Sequence, residues 1–171
     1  YNSIEICKKS VVMVDHTNIV LRKTDQINLM LSNIQLQRRG YIVRNDPKYL
    51  DEYYNSKVSF DIVIRDLKNV TSDNQQQQRN VENLESDARI SIALLDSSLA
   101  LFKSAGKTDS AQTGLALLSQ DYLDKCYIST GKIKQEEFSL LDERQSKSKN
   151  SLTNTQLFIV FTSAFAFALP G

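Results

Sequence analysis

The sequence predicts an all-α fold, an up-down-up-down bundle of four long helices whose last helix runs into an apolar tail. Three observations carry that prediction. Only five Gly and two Pro occur in 171 residues, well below average usage. Folds built on β-sheets need turn residues every ~8–12 positions, so this poverty calls for few, long, uninterrupted elements. Apolar and small residues recur at alternating steps of three and four, the seam pattern of packed helices. Finally, residues 157–169 (Leu-Phe-Ile-Val-Phe-Thr-Ser-Ala-Phe-Ala-Phe-Ala-Leu) carry no charge and are followed by Pro170-Gly171.

The first helix is expected from Ile4 to about Tyr41, with Met13, Thr17, Val20, Thr24, Ile27, Leu31 and Ile34 on its seam and Arg38 as the next seam position; Gly40 is its expected stop. Asp46 before Pro47 reads as an N-cap followed by proline at the first helical position, so a second helix starts there. Its stripe is Leu50, Tyr53, Phe60, Ile64 and Leu67, fading at Asn69-Val70-Thr71.

Ser72-Asp73-Asn74-Gln75 has the form of a capping box, Ser72 reaching the backbone at Gln75, and opens a third helix. That helix buries Val81, Leu84, Ala88, Ile92, Leu95, Leu99 and Phe102 and stops at Gly106. Residues 106–120 are the loosest stretch, although Leu115, Leu117 and Leu118 point to a part that is helical and docked. A fourth helix is expected from about Asp121, with Leu123, Cys126, Thr130, Ile133, Glu137, Leu140 and Leu141 inward. Nothing breaks it before Pro170, giving one rod of about 48 residues, or ~70 Å at 1.5 Å each.

Thirteen uncharged residues are fewer than the about 20 that span a bilayer. A buried terminal helix and a membrane span cut short are the two readings. Four Phe with no polar face are unlike an amphipathic surface helix, which favours the start of a span over 157–171 behind a domain over 1–156. An even number of helices brings both chain ends to the membrane side, so Tyr1 is expected at the membrane surface with a first span before it.

Composition excludes several functions. With 21 Lys and Arg against 20 Asp and Glu the net charge is +1, lacking the basic excess of a nucleic-acid binder. One histidine, His16, cannot supply the ligands of a haem or a di-iron bundle. Cys7 and Cys126 have neither zinc nor redox spacing. They fall ~10 Å and ~45 Å from the membrane on a 1.5 Å rise, too far apart to bridge each other; a Cys7 to Cys7 bridge between protomers stays open. No catalytic constellation, metal site or cofactor motif is present.

The stretch Gln35-Leu36-Gln37-Arg38-Arg39-Gly40-Tyr41-Ile42-Val43-Arg44-Asn45-Asp46-Pro47-Lys48-Tyr49-Leu50-Asp51-Glu52-Tyr53 strongly resembles the signature of the third class of CHASE domains, with Arg39, Gly40, Tyr41, Asp46, Tyr49, Leu50 and Tyr53 in place. Val14-Asp15-His16-Thr17 with Val20-Leu21 is similar to a motif on that family's first helix. Asp73-Asn74 with Gln76 resembles the start of its third, and Glu137, Leu140, Leu141 and Arg144 a motif late in its fourth. The sequence departs at Gln35, Leu36 and Gln37, where the family usually has Glu-Thr-Gly. The resemblance implies an extracytoplasmic sensor domain between two membrane helices, normally a homodimer. Such a domain reports a small-molecule or protein stimulus to a cytoplasmic output, here a histidine kinase before a cyclase or chemoreceptor. It implies a plasma or inner-membrane location with this domain periplasmic or extracellular.

Within that frame, Arg39, Tyr41, Arg44, Tyr49 and Tyr53, together with Tyr54, gather at the turn between helices one and two, where they would line a small-molecule or anion site or plug the bundle end. His16, Thr17, Gly40, Asp46, Glu137 and Arg144 are the structural or signalling candidates. Glu137 stands where a bundle wants Leu and needs a partner; height along the helices points to Arg22 or Lys23. His16 is the one side chain with an ordinary pKa near neutrality, and a packed structural role is its default. Thr17, Thr24 and Thr130 soften the seam, which suits a bistable core. The competing class is a membrane-anchored scaffold without a ligand.

Overall fold

A computed structural model describes the backbone of residues 2–168 and the side chains of residues 8, 11–147, 149–150 and 153. It contains four helices, α1 (Asn2–Arg44), α2 (Pro47–Val70), α3 (Gln75–Ala105) and α4 (Ser110–Ala168), and no strand among the described residues. The chain divides into two compact units, one comprising Ile19–Glu136 and the other Tyr1–Asn18 with Glu137–Gly171.

In the Ile19–Glu136 unit each helix runs antiparallel to the next, as the side-chain pairings show. Lys23 meets Asp66 between α1 and α2, and Lys57, Asp61 and Lys68 of α2 meet Asp96, Arg89 and Glu85 of α3 in reversed order. Gln77, Leu84, Ser91 and Ser98 of α3 meet Ile133, Cys126, Ser119 and Gln112 of α4. Asp25 and Ser32 of α1 meet Lys134 and Tyr127 of α4. A step of seven down α3 is matched by a step of seven back along α4, the heptad register of an antiparallel seam. The core follows the predicted stripes: Val20, Ile27, Leu31 and Ile34 of α1, Tyr53, Phe60, Ile64 and Leu67 of α2, Val81, Leu84, Ala88, Leu95 and Leu99 of α3, and Leu123, Cys126 and Ile133 of α4.

The caps correct three expected boundaries. Gly40 does not end α1. The helix continues to Arg44, and Asn45 takes the left-handed conformation (φ 52°) that closes it; asparagine tolerates that region better than most residues. Asp46 caps α2 as expected, accepting from the Lys48 N–H at 2.9 Å with Pro47 first in the helix. The cap of α3 is Asn74 rather than Ser72, because Asn74 has the extended backbone of an N-cap (φ −119°) and its side chain accepts from both Gln76 and Gln77. Gly106 closes α3 in the left-handed region (φ 66°), where glycine has no Cβ penalty.

The third correction is the largest. α4 begins at Ser110, not near Asp121. The Asp109 carboxylate accepts from the Gln112 N–H at 2.6 Å, and its carbonyl accepts from Thr113 at 3.1 Å, which together launch the helix. Leu117 and Leu118 are exposed, whereas Gln112 and Ser119 are buried, so this first part of α4 docks through polar side chains. The backbone then stays helical through Ala168. Among the described residues no helix is long and apolar enough to cross a membrane. The side chains of 154–171, on which the expected span rests, lie outside the described residues.

Candidate functional site

The turn between α1 and α2 meets the end of α3 and gathers aromatic and charged side chains. Gly40 lets Tyr49 fold back across α1: a Cβ on Gly40 would fall inside the Tyr49 ring, within 2.9 Å of Cγ. The Arg44 guanidinium lies 5.7 Å from the centroid of that ring. Tyr41 meets Phe102 edge to face, centroids 6.0 Å apart at 80°, a favoured aromatic geometry. Lys103 sits 5.8 Å over Tyr41 and 5.9 Å over Tyr54, and Lys57 sits 5.3 Å over Tyr53 and 5.6 Å over Tyr54.

Tyr53 is fully buried and donates its hydroxyl hydrogen to Asp96 at 2.8 Å, while the Lys57 ammonium holds both Asp96 oxygens at 2.7 and 2.8 Å. Burial, reinforced by the Asp96 charge, raises the Tyr53 pKa far above the ordinary phenol range. One turn deeper, Arg38 is buried at the seam position that the spacing predicts. It donates to the Ser98 hydroxyl, which donates in turn to the Gln112 carbonyl at 2.7 Å. Burial lowers the Arg38 pKa, because a charged guanidinium is penalised away from water.

The five residues expected to line a ligand site are therefore divided. Tyr41 and Tyr53 enter the aromatic cluster, Arg44 and Tyr49 form a separate pair at the turn, and Arg39 is exposed beside them. Asp46 is a helix cap. The cations over the inner aromatics are Lys57 and Lys103, which sequence reasoning missed, together with Asp96; Phe102, expected on the α3 stripe, was not linked to this cluster. Lys103 and Phe102 are legible only as the last turn of α3 before Gly106, brought to this end by the antiparallel pairing.

In the other unit, Thr17 is buried and donates from Oγ1 to Oε2 of the buried Glu137 at 3.2 Å, joining α1 to α4. His16 and Arg144 are half-buried. Of the two cations expected to serve Glu137, Lys23 pairs with Asp66 at 2.8 Å and Arg22 is exposed. The Thr17 hydroxyl thus supplies a donor to this buried carboxylate. Cys126 is a free, buried thiol, and burial, with the Asp87 charge assisting, pushes its pKa up to about 12. It is not bridged to Cys7, whose side chain lies outside the described residues. Among the described residues no group of His, Cys, Asp or Glu is arranged to hold a metal ion.

Four long helices closed by paired polar groups define a helical module. The CHASE3 domain model matches residues 11–147, and the chain belongs to the CHASE3 domain family. CHASE3 domains are extracytoplasmic sensor domains of signalling proteins and are not themselves catalytic. No curated protein matches the chain, and no solved structure matches it.

Proposed function

We propose that the chain is the extracytoplasmic input domain, residues 1–156, of a membrane-bound receptor of the two-component sensor histidine kinase type, with residues 157–171 beginning a transmembrane span. It acts as an up-down-up-down four-helix bundle in a homodimer, outside the plasma or inner membrane, and relays its stimulus through α1 and α4. The observation that carries this reading is α4. One unbroken helix from Ser110 to Ala168 bears the buried Gln112, Ser119, Cys126, Thr130, Ile133 and Glu137 and then enters the apolar tail. A helix without a turn passes a displacement along its length, where a loop would absorb it.

Relay requires two packings that the stimulus distinguishes by affinity. The α3–α4 seam supports such a pair of states, because its buried contacts at Gln77, Ser91, Ser98, Gln112 and Ser119 are hydrogen bonds that can re-form after a small shift, rather than interlocked branched side chains. The aromatic gathering at the α1–α2 turn serves as the plug of the bundle end. The full-length protein tests the reading: a membrane span before Tyr1, a kinase module beyond the tail, and reporter fusions placing residues 19–136 outside the cytoplasm are expected. A cytoplasmic reporter, or a full-length chain with no output module, overturns it in favour of a membrane-anchored scaffold.

A further inference from the structure

Ion pairs stitch three of the four helix junctions in the Ile19–Glu136 unit. Lys23 joins Asp66 between α1 and α2, Lys57 and Lys68 join Asp96 and Glu85 between α2 and α3, and Lys134 joins Asp25 between α4 and α1. Between α3 and α4 the described residues form none; the junction is held by the neutral contacts of Gln77, Leu84, Ser91 and Ser98 with their α4 partners.

Beside that seam lies a groove of about 260 Å³, walled by Asn83, Ser86 and Asp87 of α3 and by Lys125, Ser129 and Lys132 of α4. Charges line it without being spent on each other. Among the described residues Lys125 meets the Tyr122 ring, 4.2 Å from its ammonium, and neither Lys132 nor Asp87 is in an ion pair. The comparable groove between α2 and α3, about 240 Å³, differs in this respect: its Lys57, Arg89, Asp61 and Asp96 are already paired across it, so a charged occupant would have to break those pairs.

We propose that the α3–α4 groove binds a small anionic amino acid, a molecule with two carboxylates and one ammonium. Two lysines and one aspartate give the site a charge of +1 against −1 for the ligand. Lys125 and Lys132 stand two turns apart on α4, a rise of ~10.5 Å, so their flexible stems can close on separate carboxylates while Asp87 takes the ammonium. Asn83, Ser86 and Ser129 supply neutral donors and acceptors between them. A plain dicarboxylate would set its chain against Asp87, and a neutral amino acid would leave one lysine unused. The volume lies below the ~300–1,000 Å³ of drug-sized pockets, which restricts the occupant to small molecules. The ligand would straddle the one junction without ion pairs; its role as the stimulus rests on the sensor reading above, whereas its binding does not.

Titration of the chain with L-glutamate and L-aspartate, followed by amide chemical shifts, tests the site. Saturable binding is expected, with shifts centred on residues 83–87 and 125–132. Lys125→Ala and Lys132→Ala should each weaken it ~10-fold or more without moving Tm, since both side chains are exposed and outside any ion pair. Glutarate, which lacks the ammonium, should bind at least ~10-fold more weakly to the native chain, and Asp87→Asn should remove that preference. No saturable binding of either amino acid at concentrations on the order of 10 mM, equal binding of glutarate, or binding unchanged in Lys132→Ala each overturns the proposal. Binding that leaves the output of the full-length receptor unmoved would defeat the relay and leave the site standing.

Discussion

Thr17 and Glu137, 120 residues apart in the chain, meet through one hydrogen bond of 3.2 Å in which the threonine hydroxyl donates to a carboxylate buried to 2% exposure. A buried carboxylate is costly when it loses a donor. Thr17→Val, which keeps the shape and deletes the donor, is expected to lower stability by ~1–3 kcal/mol, measured by urea denaturation. Thr17→Ser, which keeps the hydroxyl, should lose less.

Glycines in this chain should respond with opposite signs. Gly40→Ala drives a methyl into the Tyr49 ring and should destabilise by ~1–3 kcal/mol in thermal unfolding, despite the better helix propensity of alanine. Shrinking the ring in a Gly40→Ala/Tyr49→Leu double variant should recover part of the loss. Gly114 and Gly131 have open space around the same position and lie inside α4, so alanine there should stabilise by ~0.5–1 kcal/mol.

Alkaline pH should unfold the domain through two buried acids. Cys126 is held up to about 12 from an ordinary 9.0 by burial, and Tyr53 is raised from 10.0 by burial and by Asp96. Both remain protonated when folded at a pH where the unfolded chain ionises, so their stabilisation is complete below about 9 and is lost as pH climbs towards 12 and beyond. Denaturation midpoints should fall over that range. In a Cys7→Ser background, Cys126 should resist alkylation at pH 8 until the chain is unfolded; rapid labelling of the folded protein would contradict its burial.

Asp96 accepts from both Tyr53 and Lys57. Asp96→Ala leaves a buried phenol without its acceptor and is expected to cost ~1–3 kcal/mol, whereas Tyr53→Phe, which removes the hydroxyl itself, should cost only ~0.5–1.5 kcal/mol. The two unfolding curves compared side by side check this order.

The α1 seam was legible from spacing alone, down to Arg38, because burial there follows an apolar heptad. The start of α4 was not: its buried residues are Gln112 and Ser119, while Leu117 and Leu118 face out. Polar residues are buried there because Ser91 and Ser98 on α3 meet them, a pairing between distant segments that hydrophobic periodicity does not register. Gly40 misled for a related reason. It is required by the approach of Tyr49 rather than by a turn, and Asn45 supplies the left-handed residue instead. At the candidate site the tyrosines were visible as a cluster in sequence. The partners that decide their roles, Asp96, Phe102 and Lys103, come from α3 and arrive only through the fold.

In the relay proposed above, α1 and α4 shift between two packings. Thr17 and Thr24 of α1 and Thr130 of α4 are each buried. The direct measurement is autophosphorylation of the full-length receptor carrying Leu at all three positions, with and without stimulus. A receptor that is present in the membrane in normal amount but fixed in one output state, on or off, is expected. A triple variant that still responds to stimulus like the native receptor would contradict the relay.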